Sequence, residues 1–233
     1  MKTLTDVLES SMTSLYESIF DTFDDEGNVT TDSSELIKQE IIDWINENCR
    51  DCKIIFDDKK TEDGKYIVNC DNVYIFNKNI TSLTNGQFIW GNITGTFSCF
   101  GCKQLKSLKG APKYVGEWFD CHECDNLISL EGAPERVGDW FDCNSCKQLK
   151  SLKGAPKRVE GIFDCSWCIS LKSLKGAPEI VKSTFDCGDC EKLTSLKGAP
   201  KRVEGNFFCT NCGDNFSKEY VKKVSDVKGE IIC

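Results

Sequence analysis

Cysteine recurs along this chain with a period of 22 and no slip, at Cys99, Cys121, Cys143, Cys165, Cys187 and Cys209. Each is followed three residues later by a second, at Cys102, Cys124, Cys146, Cys168, Cys190 and Cys212. Between pairs runs L-x-S-L-x-G-A-P-x-x-V, first over residues 105–115 and again from Leu127, Leu149, Leu171 and Leu193. All five prolines lie in the G-A-P turns. A unit this short cannot bury an apolar face alone, so neighbouring units must stack. The repeat therefore predicts a solenoid of 22-residue rungs, mostly β, each rung one strand plus a turn.

Side chains alternate across an extended strand. Phe97, Phe119, Phe141, Phe163, Phe185, Phe207 and the first cysteines then point inward, while Trp118, Asp120 and His122 point outward. His122 is the only histidine, and its column reads Phe100, Asn144, Ser166, Gly188 and Thr210 in the other rungs, so the repeat does not require it. Beside it run a column of Trp118, Trp140, Ile162, Thr184 and Asn206 and a column of Asp120, Asp142, Asp164 and Asp186. Carboxylates stacked about 5 Å apart repel by roughly 0.8 kcal/mol per pair in water-like dielectric, which solvation and salt absorb. A solvated acidic face is one reading. The other is a recognition surface of Phe100, Trp118, Asp120, His122, Trp140, Asp142, Ile162, Asp164 and Asp186, since aromatics are favoured at interface hot spots. In register, Trp118 and Trp140 are expected side by side, both exposed.

The pattern F-D-C-x-x-C-x-x-L-x-S-L-x-G-A-P resembles the short bacterial leucine-rich repeat, and closely resembles variants common in tailed-bacteriophage proteins. The resemblance covers about residues 72–216. It implies a parallel-sheet solenoid that works through protein partners. It also implies that cysteine or asparagine in the second-cysteine column satisfies backbone groups along the turn. "IFNKNITSL" fits as an earlier, degenerate rung, with Asn77 in that column and Ile80 and Leu83 as the two leucines. The chain departs from the family in having Phe-x-Cys for Leu-x-Leu and one extra residue after the ladder position.

Four readings of the C-x-x-C pairs compete. Free cysteine is a small, often buried apolar residue. A zinc ribbon needs two pairs converging on one tetrahedral centre, whereas stacked rungs make continuous columns. Disulfides between rungs are compatible with the strand spacing. A thioredoxin-like pair needs a following helix, and none is expected here. The reading adopted is twelve buried, reduced, metal-free cysteines, with no metal and no cofactor.

The ends read as caps. Residues 1–68 form an acidic helical segment plus a hairpin, residues 69–216 the solenoid, and residues 217–233 a short helical cap. "DSSELIKQEIIDWINEN" has helical period, with Asp32 and Glu35 in capping-box spacing and Leu36, Ile37, Ile41, Trp44 and Ile45 on one face. A hairpin follows, with strands over 53–56 and 66–68 around "DDKKTEDG". At the other end 217–227 reads as helix and "EIIC" as strand. Residues 1–20 form a second amphipathic helix, either packed on the cap or, since "YESIFD" weakly resembles phage N-termini, a detachable docking segment. "DTFDDEGNVTTD" fails as a calcium loop, because glycine at loop position 6 puts Thr22 at position 1.

Charge narrows the function. Residues 1–60 hold 15 Asp/Glu against 6 Lys/Arg, and the remaining 173 residues hold 22 against 23. A net charge of −8 without a basic, aromatic-interleaved stripe argues against a nucleic-acid partner. No apolar run reaches the roughly 18–20 residues of a membrane span and no leader is apparent, so the chain is expected in the cytoplasm, or in a virion if phage-encoded. Phosphate-loop and nucleophile-elbow signatures are absent. The expected function is a non-catalytic protein-binding module on the exposed sheet face, the alternative a structural or virion-associated phage protein.

Overall fold

The computed structural model describes residues 33–233. The expected helix over 1–20, the calcium-loop lookalike and the Asp32 cap lie outside the described residues. The described residues open with helix α1 (Ser33–Asn48), and the second of two units spans Trp44–Cys233. Within α1, Ile41 and Ile45 are buried and Leu36 is exposed.

The second unit is a β-solenoid built from two nine-stranded sheets. Each full rung contributes not one strand but two. The Phe-Asp pair makes a strand of the first sheet, as in β8 (Phe119–Asp120), β10 (Phe141–Asp142), β12 (Phe163–Asp164) and β14 (Phe185–Asp186). The residue before the repeat valine, with that valine, makes a strand of the second sheet, as in β9 (Arg136–Val137) and β11 (Arg158–Val159). Pairing is parallel and in register, Phe141 lying between Phe119 and Phe163 and Asp142 between Asp120 and Asp164.

The inward columns are those the alternation predicts. Phe97 through Phe207 form one ladder, with ring centroids 5.7, 5.2, 5.1, 5.6 and 5.1 Å apart. The repeat leucines, valines and first cysteines fill the rest of the core. Burying each phenylalanine contributes about 1.5–3 kcal/mol. The G-A-P turn must start with glycine: Gly154 has φ +96°, and a Cβ there would lie 2.4 Å from the Leu130 carbonyl oxygen of the preceding rung.

The cysteines are more than apolar fillers. In the second column, Sγ of Cys124, Cys146, Cys168, Cys190 and Cys212 each donates at 3.3 Å to the carbonyl of the first-column cysteine one rung back. First-column thiols point the other way, Cys143 to Asp164 O and Cys165 to Asp186 O, both at 3.2 Å. Burial pushes the Cys102 and Cys190 thiols up to about 12, so at neutral pH they remain protonated and able to donate.

Two disulfides correct the all-reduced expectation. Cys209, a repeat cysteine, is bonded to Cys233. The cause is β18 (Ile231–Ile232), which pairs in parallel with β16 (Phe207–Phe208) and brings the two Cα atoms to 4.6 Å. Cys52 is bonded to Cys70 outside the repeat columns. The other eleven C-x-x-C cysteines are free.

The ends also differ from expectation in detail. Strand β2 (Ile55–Lys60) runs through all of "DDKK", so the hairpin to β3 (Tyr66–Cys70) turns at 61–65. Its exposed Asp57, Asp58, Lys59 and Lys60 occupy the edge of the second sheet, where charge discourages pairing with another chain. Trp44 meets Phe88 edge-on at 5.6 Å, and the Asn48 carbonyl accepts the Phe76 N–H at 3.0 Å. At the other end the helix is shorter than expected. Helix α2 covers Lys218–Val224, capped by Ser217, and β17 (Asp226–Val227) and β18 then add a strand to each sheet.

Candidate functional site

The outward face of the first sheet carries the candidate residues, and the aspartate column has a local structural origin. One oxygen of each carboxylate accepts the backbone N–H two residues on: His122 to Asp120 at 3.1 Å, Asn144 to Asp142 at 2.9 Å, Ser166 to Asp164 and Gly188 to Asp186 at 2.8 Å. Ser98 plays this part toward Phe100 in an earlier rung. This is the turn-forming bond that suits aspartate just before a sharp bend. The bend follows at once, since Glu123, Ser145, Trp167, Asp189 and Asn211 all take positive φ, between 53° and 57°. Holding the carboxylates here has a cost. Burial, with Asp164 and Asp120 alongside, pushes the Asp142 carboxyl up to about 6, and burial followed by Asp164 and Asp189 does the same to Asp186.

Aromatic rings gather at one end of this face. Trp118 is 48% exposed, and its indole N–H donates to Asp139 Oδ2 at 3.0 Å. Trp140 meets it nearly edge-on, centroids 5.6 Å apart at 71°. Contrary to the expectation of two exposed rings, Trp140 is half-buried because Trp118 leans across it, and its indole nitrogen is buried without a hydrogen-bond partner. His122 stacks on Phe100, centroids 4.5 Å apart at 18°, and its Nδ1 lies 2.6 Å from Asp120 Oδ1. A cavity of about 190 Å³ opens among Trp118, Asp120, His122, Trp140 and Asp142. Phe100 lines an adjoining groove with Tyr74, Ser98, Glu117, Trp118 and Asp120.

Six of the nine candidates thus lie together: Phe100, Trp118, Asp120, His122, Trp140 and Asp142. Ile162, Asp164 and Asp186 are half-buried farther along the same columns. Sequence reasoning missed the cations at the near end. Arg50 lies over the Phe76 ring at 4.7 Å. Lys78 lies over the Phe100 ring at 4.2 Å, and its ammonium also donates to the carbonyls of Ile75 and Phe100.

Among the described residues, the one group of His, Cys, Asp or Glu side chains placed to hold a metal is Asp120, His122 and Asp142, with ligand atoms within 4.8 Å of one another. No cysteine belongs to it. Both Asp120 oxygens are already engaged, one by His122 and the other by Ser98, and Asp142 Oδ1 accepts twice from Asn144. Asp142 Oδ2 and His122 Nε2 remain, a sparse ligand set. No helix of the described residues is long and apolar enough to cross a membrane. Comparison of the chain with protein-family models, with curated proteins and with solved structures found no match.

Proposed function

We propose that this chain is a non-catalytic protein-binding module whose partner docks on the outward face of the first sheet, centred on Trp118 and Trp140. The observation that carries the reading is the gathering of Trp118, Trp140, Phe100 and His122 on in-register strands above a rigid phenylalanine ladder. Binding energy concentrates in aromatic anchors of this kind, and preorganised strands hold them at little entropic cost. The cavity at their centre, about 190 Å³, has room for one protruding side chain, and the adjoining groove of about 490 Å³ for its neighbours. The acidity of the face disfavours phosphate backbones. The resemblance to short leucine-rich repeats, proteins that work through partners, supports the same reading.

Photo-crosslinking tests it. A benzophenone amino acid is placed at Ile162, on the outward face of the first sheet, or at Arg158, on the second, in cells that produce the partner. Adducts to one discrete protein from position 162, with none from 158, are expected. The opposite pattern overturns the assignment of the face.

A further inference from the structure

The binding face is acidic and aromatic, and His122 is the one basic residue in its three outward columns. Its outward columns and flanks hold Glu117, Asp120, Asp139, Asp142, Asp164 and Asp186, and no Lys or Arg occurs in the columns of Trp118, Asp120 and His122. At its near end the chain shows what such a surface accepts, because Arg50 and Lys78 are seated on Phe76 and Phe100. One rung farther on that column holds His122, stacked on Phe100, and the larger rings of Trp118 and Trp140 lie in the neighbouring outward column, where the acids are denser. Yet among the described residues no cation is seated on Trp118 or Trp140.

From this series we propose that the partner presents a basic segment and inserts an arginine side chain into the cavity between Trp118, Trp140, Asp120 and Asp142. This rests on the binding-face reading above and names the chemistry of its ligand. A guanidinium is planar and weakly hydrated, stacks on indole, and can pair with a carboxylate at the same time. Asp142 offers Oδ2 for that pairing, because its other oxygen is spent on Asn144. The indole N–H of Trp118 is held by Asp139, which fixes the ring that would cover the guanidinium. The chain's own N-terminal segment is a poor occupant. Residues 1–32 hold eight Asp/Glu and a single Lys, so the acidic face repels them.

The test is titration of the whole chain, at about 150 mM salt to suppress long-range attraction, with end-capped pentapeptides of arginine, lysine or glutamate, followed by calorimetry. Saturable binding of the arginine peptide is expected, weaker binding of the lysine peptide, and none of the glutamate peptide. Trp118→Ala and Asp142→Asn should each weaken arginine binding about tenfold, the loss of one desolvated cation–ring or ion-pair contact. Glu191→Gln, an equal change of charge at an exposed residue away from the cavity, should leave it within about twofold. Equal losses in Glu191→Gln and Asp142→Asn would reduce the effect to diffuse charge and overturn the proposal. So would stoichiometric zinc binding that displaces the peptide, which would assign Asp120, His122 and Asp142 to a metal. If position 162 crosslinks a partner while the arginine peptide does not bind, the face stands and the arginine chemistry falls. The absence of both adducts and binding removes the face itself.

Discussion

Replacing Asp142 with asparagine removes a charge but keeps the oxygen that accepts the Asn144 N–H, so the turn survives and the electrostatic effect is isolated. Burial and the neighbouring Asp164 and Asp120 lift the carboxyl from the ordinary 3.8 to about 6. At about 1.4 kcal/mol for each tenfold change in acidity, charging Asp142 in the folded chain costs at most about 3 kcal/mol. The carboxylate keeps some solvent contact, which screens the effect to about 1–2 kcal/mol. The direction follows from proton binding. Between about pH 4 and 6 the folded chain holds the proton and the unfolded chain has released it, so stability falls as pH rises through that window. Asp142→Asn should therefore match the parent protein near pH 4 and exceed it by about 1–2 kcal/mol at pH 7, some 2–7 °C in melting temperature for a unit of this size. Urea melts at four pH values across this range measure it. A stability difference that is constant with pH, or largest at pH 4, would refute the desolvated-charge account.

Three further outcomes follow from the core. Phe141→Ala, in the middle of the ring ladder, should cost about 3–5 kcal/mol in denaturant melts; a cost near zero would reverse the inward and outward assignment of the solenoid. Gly154→Ala should cost more than about 2 kcal/mol, because the methyl meets the Leu130 carbonyl and the φ is one that alanine resists. Thiol labelling of the native chain should modify Cys212 first, since it is the one free cysteine not fully buried and the neighbouring Cys187 side chain, by hydrogen bonding to its sulfur, holds it below the ordinary thiol range. The eleven buried free cysteines should react only on unfolding.

What the sequence discloses depends on whether a position repeats. The phenylalanine and cysteine columns, and the outward placement of Trp118, Asp120 and His122, follow from the period and from strand alternation alone. The second sheet does not. Its strands in the full rungs, such as Arg158–Val159, are two residues long and flanked by turns, too short to show an alternating pattern. The aspartate column is visible as outward-facing, but its turn-forming bond depends on the left-handed residue three positions on, which ranges from Glu123 to Trp167. Arg50, Phe76 and Lys78 escape because the degenerate rung breaks the period. Val73 pairs with Phe97, an offset of 24, and Arg50 comes from β1 (Cys49–Arg50), an antiparallel strand outside the repeat. The Cys209–Cys233 bond is hidden for the same reason, since Cys233 belongs to a rung without the motif.

The measurement that bears most directly on the binding face is the yield of partner adduct from the benzophenone at position 162 in a chain carrying both Trp118→Ala and Trp140→Ala, with its melting temperature recorded alongside. Trp118 is about half exposed and Trp140 leans on it rather than on the phenylalanine ladder. A nearly unchanged melting temperature and an adduct yield reduced at least about tenfold are therefore expected, as for two hot-spot aromatics. Full adduct yield from the folded double variant would contradict the assignment of the face.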